Sequence, residues 1–150
     1  MLYLPTNEPL PMINPQVTIE TLQELTLNNL GSHLGIEFIE VGTDFVRARM
    51  PVDERTRQPY GILHGGASVA LAETLGSIGA SCCVDLSRQV CVGLEINANH
   101  VRSVREGYVY GKASPLHLGK STQIWEIRIT DEADRLVCIS RITMAILDKK

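Results

Sequence analysis

The segment from Gly65 to Val84 is the most restrictive feature of this sequence, because it carries a single charged residue, Glu73. A stretch of this length and polarity is either a membrane span or a helix enclosed by other structure. Glu73 falls near its middle, glycines dilute its apolarity, and the only cation close to either end is Arg88. Membrane spans are rarely charged at their centre and are commonly flanked by cations. We therefore predict an enclosed helix over residues 65–83 and no transmembrane helix.

One polar stripe runs along this predicted helix. At about 100° per residue, four polar side chains fall within a sector about 100° wide. They are Glu73, Thr74, Ser77 and Ser81. Most of the residues opposite are apolar or very small, so the pattern predicts a helix that is mostly enclosed and has one polar side.

Much of the remaining chain alternates with the period of two that is typical of β-strands. Turn residues separate the first two runs at 42–44 and the last two at 131–135. The predicted strands cover residues 34–41, 45–52, 90–102, 108–113, 121–130 and 136–147. One long helix and five or six mostly antiparallel strands, without a linker or an internal repeat, predict one α+β domain.

Unbroken alternation in the third predicted strand separates two faces. One face comprises Val90, Val92, Leu94 and Ile96. The other comprises Cys91, Gly93, Glu95 and Asn97. Continuing the alternation adds His100 and Arg102 to the apolar face.

The N-terminal region divides in two. Residues 1–17 hold four of the seven prolines and lack periodicity, which predicts an extended arm or a disordered tail before a domain over 18–150. A short helix is predicted from Thr18, with Thr21 and Glu24 as a capping box and Gly31 as its end.

Composition excludes several classes of function. The net charge of −3 and the pI near 5.8 argue against binding to nucleic acid or to an anionic membrane surface. The four cysteines form no C-x-x-C motif, so we expect no metal site. The N-terminus lacks the pattern of a secretory signal, and we expect a cytoplasmic protein.

The start of the enclosed helix is a candidate catalytic site. His64-Gly65-Gly66 opens the helix, where the first N–H groups lack intrahelical acceptors and the helix dipole favours negative charge. A carbonyl oxygen against the Gly65 or Gly66 N–H would be polarised, and an oxyanion formed there would be stabilised. Glu73 then offers a nucleophile or a general base for water.

Each of these residues also has a purely structural interpretation. His64-Gly65-Gly66 is equally consistent with a simple loop-to-helix junction, and Glu73 with the exposed stripe of an amphipathic helix. His100 fits an ordinary histidine of a sheet, and Arg102 an ordinary charge at a strand edge. The isolation of Glu73 favours function, because solvent-facing stripes usually carry several charges.

Four sequence blocks, taken in order, carry a family resemblance. They are QPYGILHGG at 58–66, LAETLGS at 71–77, VGLEINANHVRS at 92–103 and PLHLG at 115–119. Together they resemble the hotdog-fold acyl-CoA thioesterases, and most closely the aryl-CoA branch that includes 4-hydroxybenzoyl-CoA, 1,4-dihydroxy-2-naphthoyl-CoA and proofreading thioesterases. The resemblance covers residues 30–147 and implies a long central helix wrapped by a curved antiparallel sheet.

The resemblance also implies roles for individual residues. Glu73 would be the nucleophile or general base in hydrolysis of an aromatic acyl-CoA, and the Gly65 N–H would polarise the thioester carbonyl. His64 and Gln58 would orient the carbonyl or the water, and Ser77 would hold water or the acyl group. The residues that would line the site or contact CoA are His100, Arg102, Ser103, Lys120 and Ser121.

Family members form homodimers that often pair into homotetramers, with each active site built across the dimer interface. The implied substrate is an acyl-CoA or an acyl carrier protein thioester, and the implied reaction needs neither a metal nor a redox cofactor. Two alternatives remain open from sequence. One is a hotdog hydratase or dehydratase acting on acyl thioesters, and the other is a non-catalytic acyl-CoA-binding module.

Overall fold

The computed structural model describes residues 12–150, which form three helices and six strands. The helices are α1 (Ile19–Glu24), α2 (Leu30–His33) and α3 (Gly65–Ser81). The strands are β1 (Glu37–Val41), β2 (Val46–Pro51), β3 (Gln89–His100), β4 (Tyr108–Leu118), β5 (Thr122–Thr130) and β6 (Leu136–Asp148). The predicted α+β class is confirmed.

One antiparallel sheet contains all six strands in the order β1-β2-β4-β5-β6-β3. Helix α3 contacts every strand from β2 to β6, so the sheet wraps around it. Leu71, Ala72 and Leu75 of α3 have no exposed surface. The prediction of one enclosed helix inside a curved sheet is therefore correct, and no helix in residues 12–150 is long and apolar enough to cross a membrane.

Glycines allow α3 to lie close to the sheet. A Cβ atom on Gly79 would stand 2.8 Å from a ring carbon of Trp125 in β5, whose side chain is fully buried. On Gly76 it would collide with Ile142 in β6. The glycines that dilute the apolarity of this segment are thus contact points between helix and sheet.

Strand β3 departs from the predicted alternation. Its pairing with β6 shifts between Gly93 and Glu95, so Leu94 is an extra residue in a β-bulge. Before the bulge, Cys91 and Gly93 face α3, and Val92 is exposed. After the bulge, the inward residues are Ile96, Ala98 and His100. The prediction that Val90, Val92, Leu94 and Ile96 share one face is wrong, because the bulge exchanges the two faces.

The region before β1 also differs from its prediction. Two short helices replace the single helix, and the chain reverses between them at Asn28, whose φ is 58°. The capping box is formed by Thr18 and Thr21 rather than by Thr21 and Glu24. Gly31 is a buried residue inside α2 and ends no helix.

Two further boundaries differ from the sequence pattern. Strand β4 continues five residues past the predicted end at Ala113, through a bulge between Pro115 and His117. Within the predicted arm, the Ile13 N–H donates to the Thr43 carbonyl, and Ile13 is buried. Residues 1–11 of that arm lie outside the described residues.

Candidate active site

The first turn of α3 leaves one donor free. The His64 Nδ1 accepts from the Gly66 N–H at 2.8 Å, and the His64 carbonyl accepts from the N–H groups of Ala67 and Ser68. In the described part of the chain, the Gly65 N–H has no such partner. This arrangement distinguishes between the two glycines, because the Gly66 N–H is already used by the helix cap.

A cleft of about 390 Å³ opens at this end of α3. Five residues predicted from the sequence line it, namely Gln58, Gly65, His100, Arg102 and Ser103. The His100 ring packs against Gly65 so closely that a Cβ on Gly65 would stand 2.9 Å from His100 Nε2. The structure therefore brings together residues from the loop after β2, the start of α3 and the end of β3.

Gln58 is oriented within this cleft by its own loop. Its side-chain oxygen accepts a hydrogen bond from the Tyr60 N–H. The amide nitrogen, a donor, then points away from this bond. A donor at that position is suited to a carbonyl oxygen or a water molecule, which is the chemistry expected of Gln58.

Glu73 lies farther along α3 and is half-buried. The Ser77 hydroxyl donates to Glu73 Oε1 at 3.4 Å and lies 3.9 Å from the sulfur of Met144, which is fully buried in β6. The carboxylate also lies directly over Gly93 of β3. Glu73 and Ser77 therefore form a second polar group, held between α3 and the β3–β6 pair.

The Gly65 N–H and the Glu73 carboxylate belong to two different groups of contacts in the single chain. Gly65 and Glu73 are eight residues apart on one helix, which corresponds to about 12 Å along its axis at 1.5 Å per residue. A reacting carbonyl must lie about 3 Å from both its donor and its nucleophile. Along the helix axis, the backbone positions of these two residues are farther apart than this, and their assignment to one active site stays a prediction.

Lys120 and Ser121 are the predicted residues farthest from this arrangement. They lie in the turn between β4 and β5, where Lys120 lines a separate cleft of about 470 Å³ with Cys83 and Gln123. The single chain does not bring them to the cleft that contains Arg102 and Ser103.

The cysteines are not suited to nucleophilic chemistry. Burial raises the pKa of the Cys82 thiol to about 12 and that of Cys83 to about 11. Thiolates, not thiols, are the reactive form. These two groups therefore stay protonated near neutral pH, in agreement with the absence of a histidine in register with them on the helix.

Two residues beside Glu73 were not identified from the sequence. Met144 looks like any core residue of an apolar strand, and no pattern distinguishes it. Gly93 did carry a signal, since a glycine inside a strand often marks a bulge or a close approach by another group. Both features are present here.

Comparison with known proteins gives one consistent result. Residues 60–138 match the Thioesterase superfamily. The 1,4-dihydroxy-2-naphthoyl-CoA hydrolase of Escherichia coli strain K12 is 53% identical over 132 residues, which cover 88% of this chain and 96% of that protein. The proofreading thioesterase EntH of Cronobacter turicensis is 50% identical over 131 residues, covering 87% and 95%.

A solved structure agrees with these relatives. The crystal structure of a mutant thioesterase from Pseudomonas aeruginosa superposes with a TM-score of 0.90 at 44% identity, covering 92% of this chain and 99% of that one. The match spans more than half of the chain, and the similar proteins share its whole fold. The chain therefore belongs to the thioesterase superfamily and is a hotdog-fold thioester hydrolase.

Proposed function

We propose that the protein hydrolyses an aromatic acyl-CoA at a site shared by two copies of the chain, with Gly65 supplied by one copy and Glu73 by the other. The main observation behind this proposal is that the backbone positions of these two residues are about 12 Å apart along the axis of α3. The substrate class follows from the similarity to the Escherichia coli relative, which is named for an aromatic acyl-CoA. A carrier-protein thioester is the second substrate class that the family resemblance implies.

In this mechanism the thioester carbonyl lies against the Gly65 N–H, which stabilises the negative charge that develops on its oxygen. Gln58 and His64 orient the carbonyl or the attacking water, and His100 closes the cleft beside Gly65. Glu73 attacks the carbonyl carbon or takes a proton from water that attacks it. The acyl–sulfur bond breaks, CoA leaves as the thiolate, and water supplies the hydroxyl group of the free acid.

An edge of the sheet supports a dimer. Strand β3 is a twelve-residue edge strand, and it exposes Val92 and Leu94, which are 42% and 62% accessible. Long apolar edges are normally covered, because they offer unpaired backbone groups and apolar surface. Under a two-fold axis beside β3, a contact between Gly65 of one copy and Glu73 of the other would be repeated, so that the dimer would contain two such sites. The pairing of dimers into a tetramer rests on the family resemblance.

We assign the CoA contacts to two places. Arg102 and Ser103 share the cleft with Gly65 and are suited to the phosphates or the pantetheine arm of CoA. Lys120 and Ser121 reach the same CoA only from the neighbouring copy, because within one chain Lys120 lines a different cleft.

We also propose a cytoplasmic location. The four cysteines are free thiols, which suits a reducing compartment.

The decisive test is a thiol-release assay over aryl, phenylacetyl, dihydroxynaphthoyl and fatty acyl-CoAs. The wild type should prefer an aryl substrate, and Glu73→Gln should lower kcat by about 10³-fold or more, as expected for loss of a group that reacts in the transition state. Glu54→Gln, on the exposed loop after β2, is the matched control and should retain full activity. Wild-type turnover by Glu73→Gln would exclude Glu73 from the reaction.

Mixing two inactive variants tests the shared site separately. Gly65→Pro inactivates this half of the site, because it removes the N–H at the first helical position and its Cβ would also stand 2.9 Å from His100 Nε2. Random pairing with Glu73→Gln should restore about a quarter of wild-type activity, because half of the dimers are mixed and each has one intact site. A mixture that stays as inactive as its components would place both residues in one chain's site.

A further inference from the structure

Gly93 occupies a special position beside the Glu73 carboxylate. It lies on β3 opposite Met144 of β6 and directly precedes the bulge at Leu94. A Cβ atom at this position would stand 2.6 Å from Glu73 Oε1 and 3.6 Å from the Glu73 Cδ. Contacts under about 3.0 Å are not compatible with a real methyl group, so the carboxylate fills the space that a side chain would take.

Backbone conformation does not explain this glycine. Three glycines in the described chain have positive φ angles, namely Gly35, Gly61 and Gly107, and Gly93 is not among them. Any residue can adopt a strand conformation with negative φ. What a side chain at position 93 would meet is therefore the Glu73 carboxylate, the movable end of a flexible side chain.

The two carboxylate oxygens differ in their surroundings. Oε1 lies against Gly93 and accepts from the Ser77 hydroxyl at 3.4 Å, whereas Oε2 is 3.8 Å from the same Cβ position. The Ser77 hydroxyl in turn contacts the buried sulfur of Met144. One oxygen is thus held by the protein, and the other is directed away from this contact.

We propose that Gly93 is a positioning residue for the hydrolysis: it leaves a notch in β3 that holds Glu73 Oε1, so that Oε2 is the oxygen that reacts with the substrate or with water. This inference rests on the proposed function, because it concerns the placement of the same carboxylate. A methyl group at position 93 would displace the carboxylate by about 1 Å, and displacements of this size reduce rates by about 10²-fold.

The test is Gly93→Ala alone and in combination with Glu73→Asp. Alone, it should lower kcat by about 10- to 100-fold and change KM by less than about threefold, because substrate binding does not use the notch. Aspartate is one methylene shorter, so its carboxylate does not reach the notch. In the Glu73→Asp background, Gly93→Ala should therefore change kcat by less than about threefold.

Equal losses in the two backgrounds, or wild-type kcat for Gly93→Ala, would overturn the positioning role. This outcome is separable from failure of the proposed function, in which Glu73→Gln itself stays active.

If Gly93→Ala folds poorly, the melting temperatures of single and double variants test the proposal instead. Glu73→Ala empties the notch, so adding Gly93→Ala to it should leave the melting temperature within about 2 °C of Glu73→Ala alone, as expected for a change of less than about 1 kcal/mol. An equal fall in melting temperature with and without the Glu73 side chain would locate the clash elsewhere and reject the proposal.

Discussion

The two faces of α3 differ in burial and in the kind of side chain they carry. On the face towards the sheet, Leu71, Ala72 and Leu75 are fully buried, and glycines bring the helix against β5 and β6. On the side that faces β3, Glu73 and Ser77 are only half-buried. On the buried face, tight packing leaves no room for larger side chains. On the half-buried face, the side chains are polar and make hydrogen bonds.

On the half-buried face, two hydroxyl groups bond to backbone carbonyls of α3 and one bonds to the Glu73 side chain. The Thr74 hydroxyl donates to the Ala70 carbonyl at 2.7 Å, and the Ser81 hydroxyl to the Ser77 carbonyl at 2.9 Å. These groups are satisfied by their own helix. Ser77 instead points its hydroxyl at Glu73. Substitutions on the buried face should therefore change stability, whereas substitutions at Glu73 and Ser77 should change turnover.

The largest effect on stability is expected from a substitution on the buried face of α3. Gly79→Val would place a branched side chain against the Trp125 ring, where even a Cβ stands at 2.8 Å. We expect a loss of about 3 kcal/mol in the free energy of unfolding, the upper end for overpacking, and a melting temperature lower by about 6–12 °C. Thermal denaturation followed by circular dichroism measures this shift.

Thr74→Val is the matched control on the other face, because it is nearly isosteric and loses only the bond to Ala70. It should cost less than about 1 kcal/mol. Equal melting temperatures for the two valine variants would mean that the two faces do not differ in packing.

A smaller effect is expected at Ser77. Ser77→Ala removes the hydroxyl that holds Glu73 Oε1, and kcat should fall about 10-fold while the melting temperature is unchanged. Steady-state thiol release measures the change. Ser81→Ala, one turn farther along the helix, should stay within about twofold of the wild type, as expected for a hydroxyl satisfied within its own helix. The same loss in both variants would show that the role of Ser77 is not specific.

The smallest effect is expected at the C-terminal end of α3. Cys83→Ser should change turnover by less than about twofold, because a thiol with a pKa of about 11 supplies almost no thiolate near neutral pH. For the same reason, alkylation of Cys83 by iodoacetamide should still be accelerating between pH 9 and pH 10. An ordinary thiol, with a pKa of about 8.5, approaches its limiting rate there. Rapid labelling at pH 7 with loss of activity would contradict this assignment.

The sequence predicted α3 well because its signal comes from many residues at once. A single charge, small residues and one polar stripe agree on an enclosed helix, and the structure has a helix over Gly65–Ser81. The strands were located for the same reason. The prediction of which β3 side chains share a face is wrong, because the extra residue Leu94 exchanges the inner and outer faces. The alternating sequence pattern continues through this bulge and does not indicate it.

For the candidate site, the sequence names residues that the structure brings together, but it does not give their arrangement. One cleft is lined by Gln58, Gly65 and His100, whose roles in catalysis stay predictions. The separation of Gly65 and Glu73 along the helix axis follows from the rise per residue. A sequence motif alone does not state this separation. Gly93 shows a different limit, because its neighbour is 20 positions earlier in the chain and only tertiary structure brings them together.

The burial of Trp125 has a practical consequence. It is the only tryptophan of the chain, its ring packs on Gly79, and its Nε1 donates to Gln123 Oε1 at 2.9 Å. All tryptophan fluorescence therefore originates from the contact between α3 and β5. The position of the emission maximum is an optical measure of whether α3 is in place against the sheet, and it needs neither a label nor a substrate.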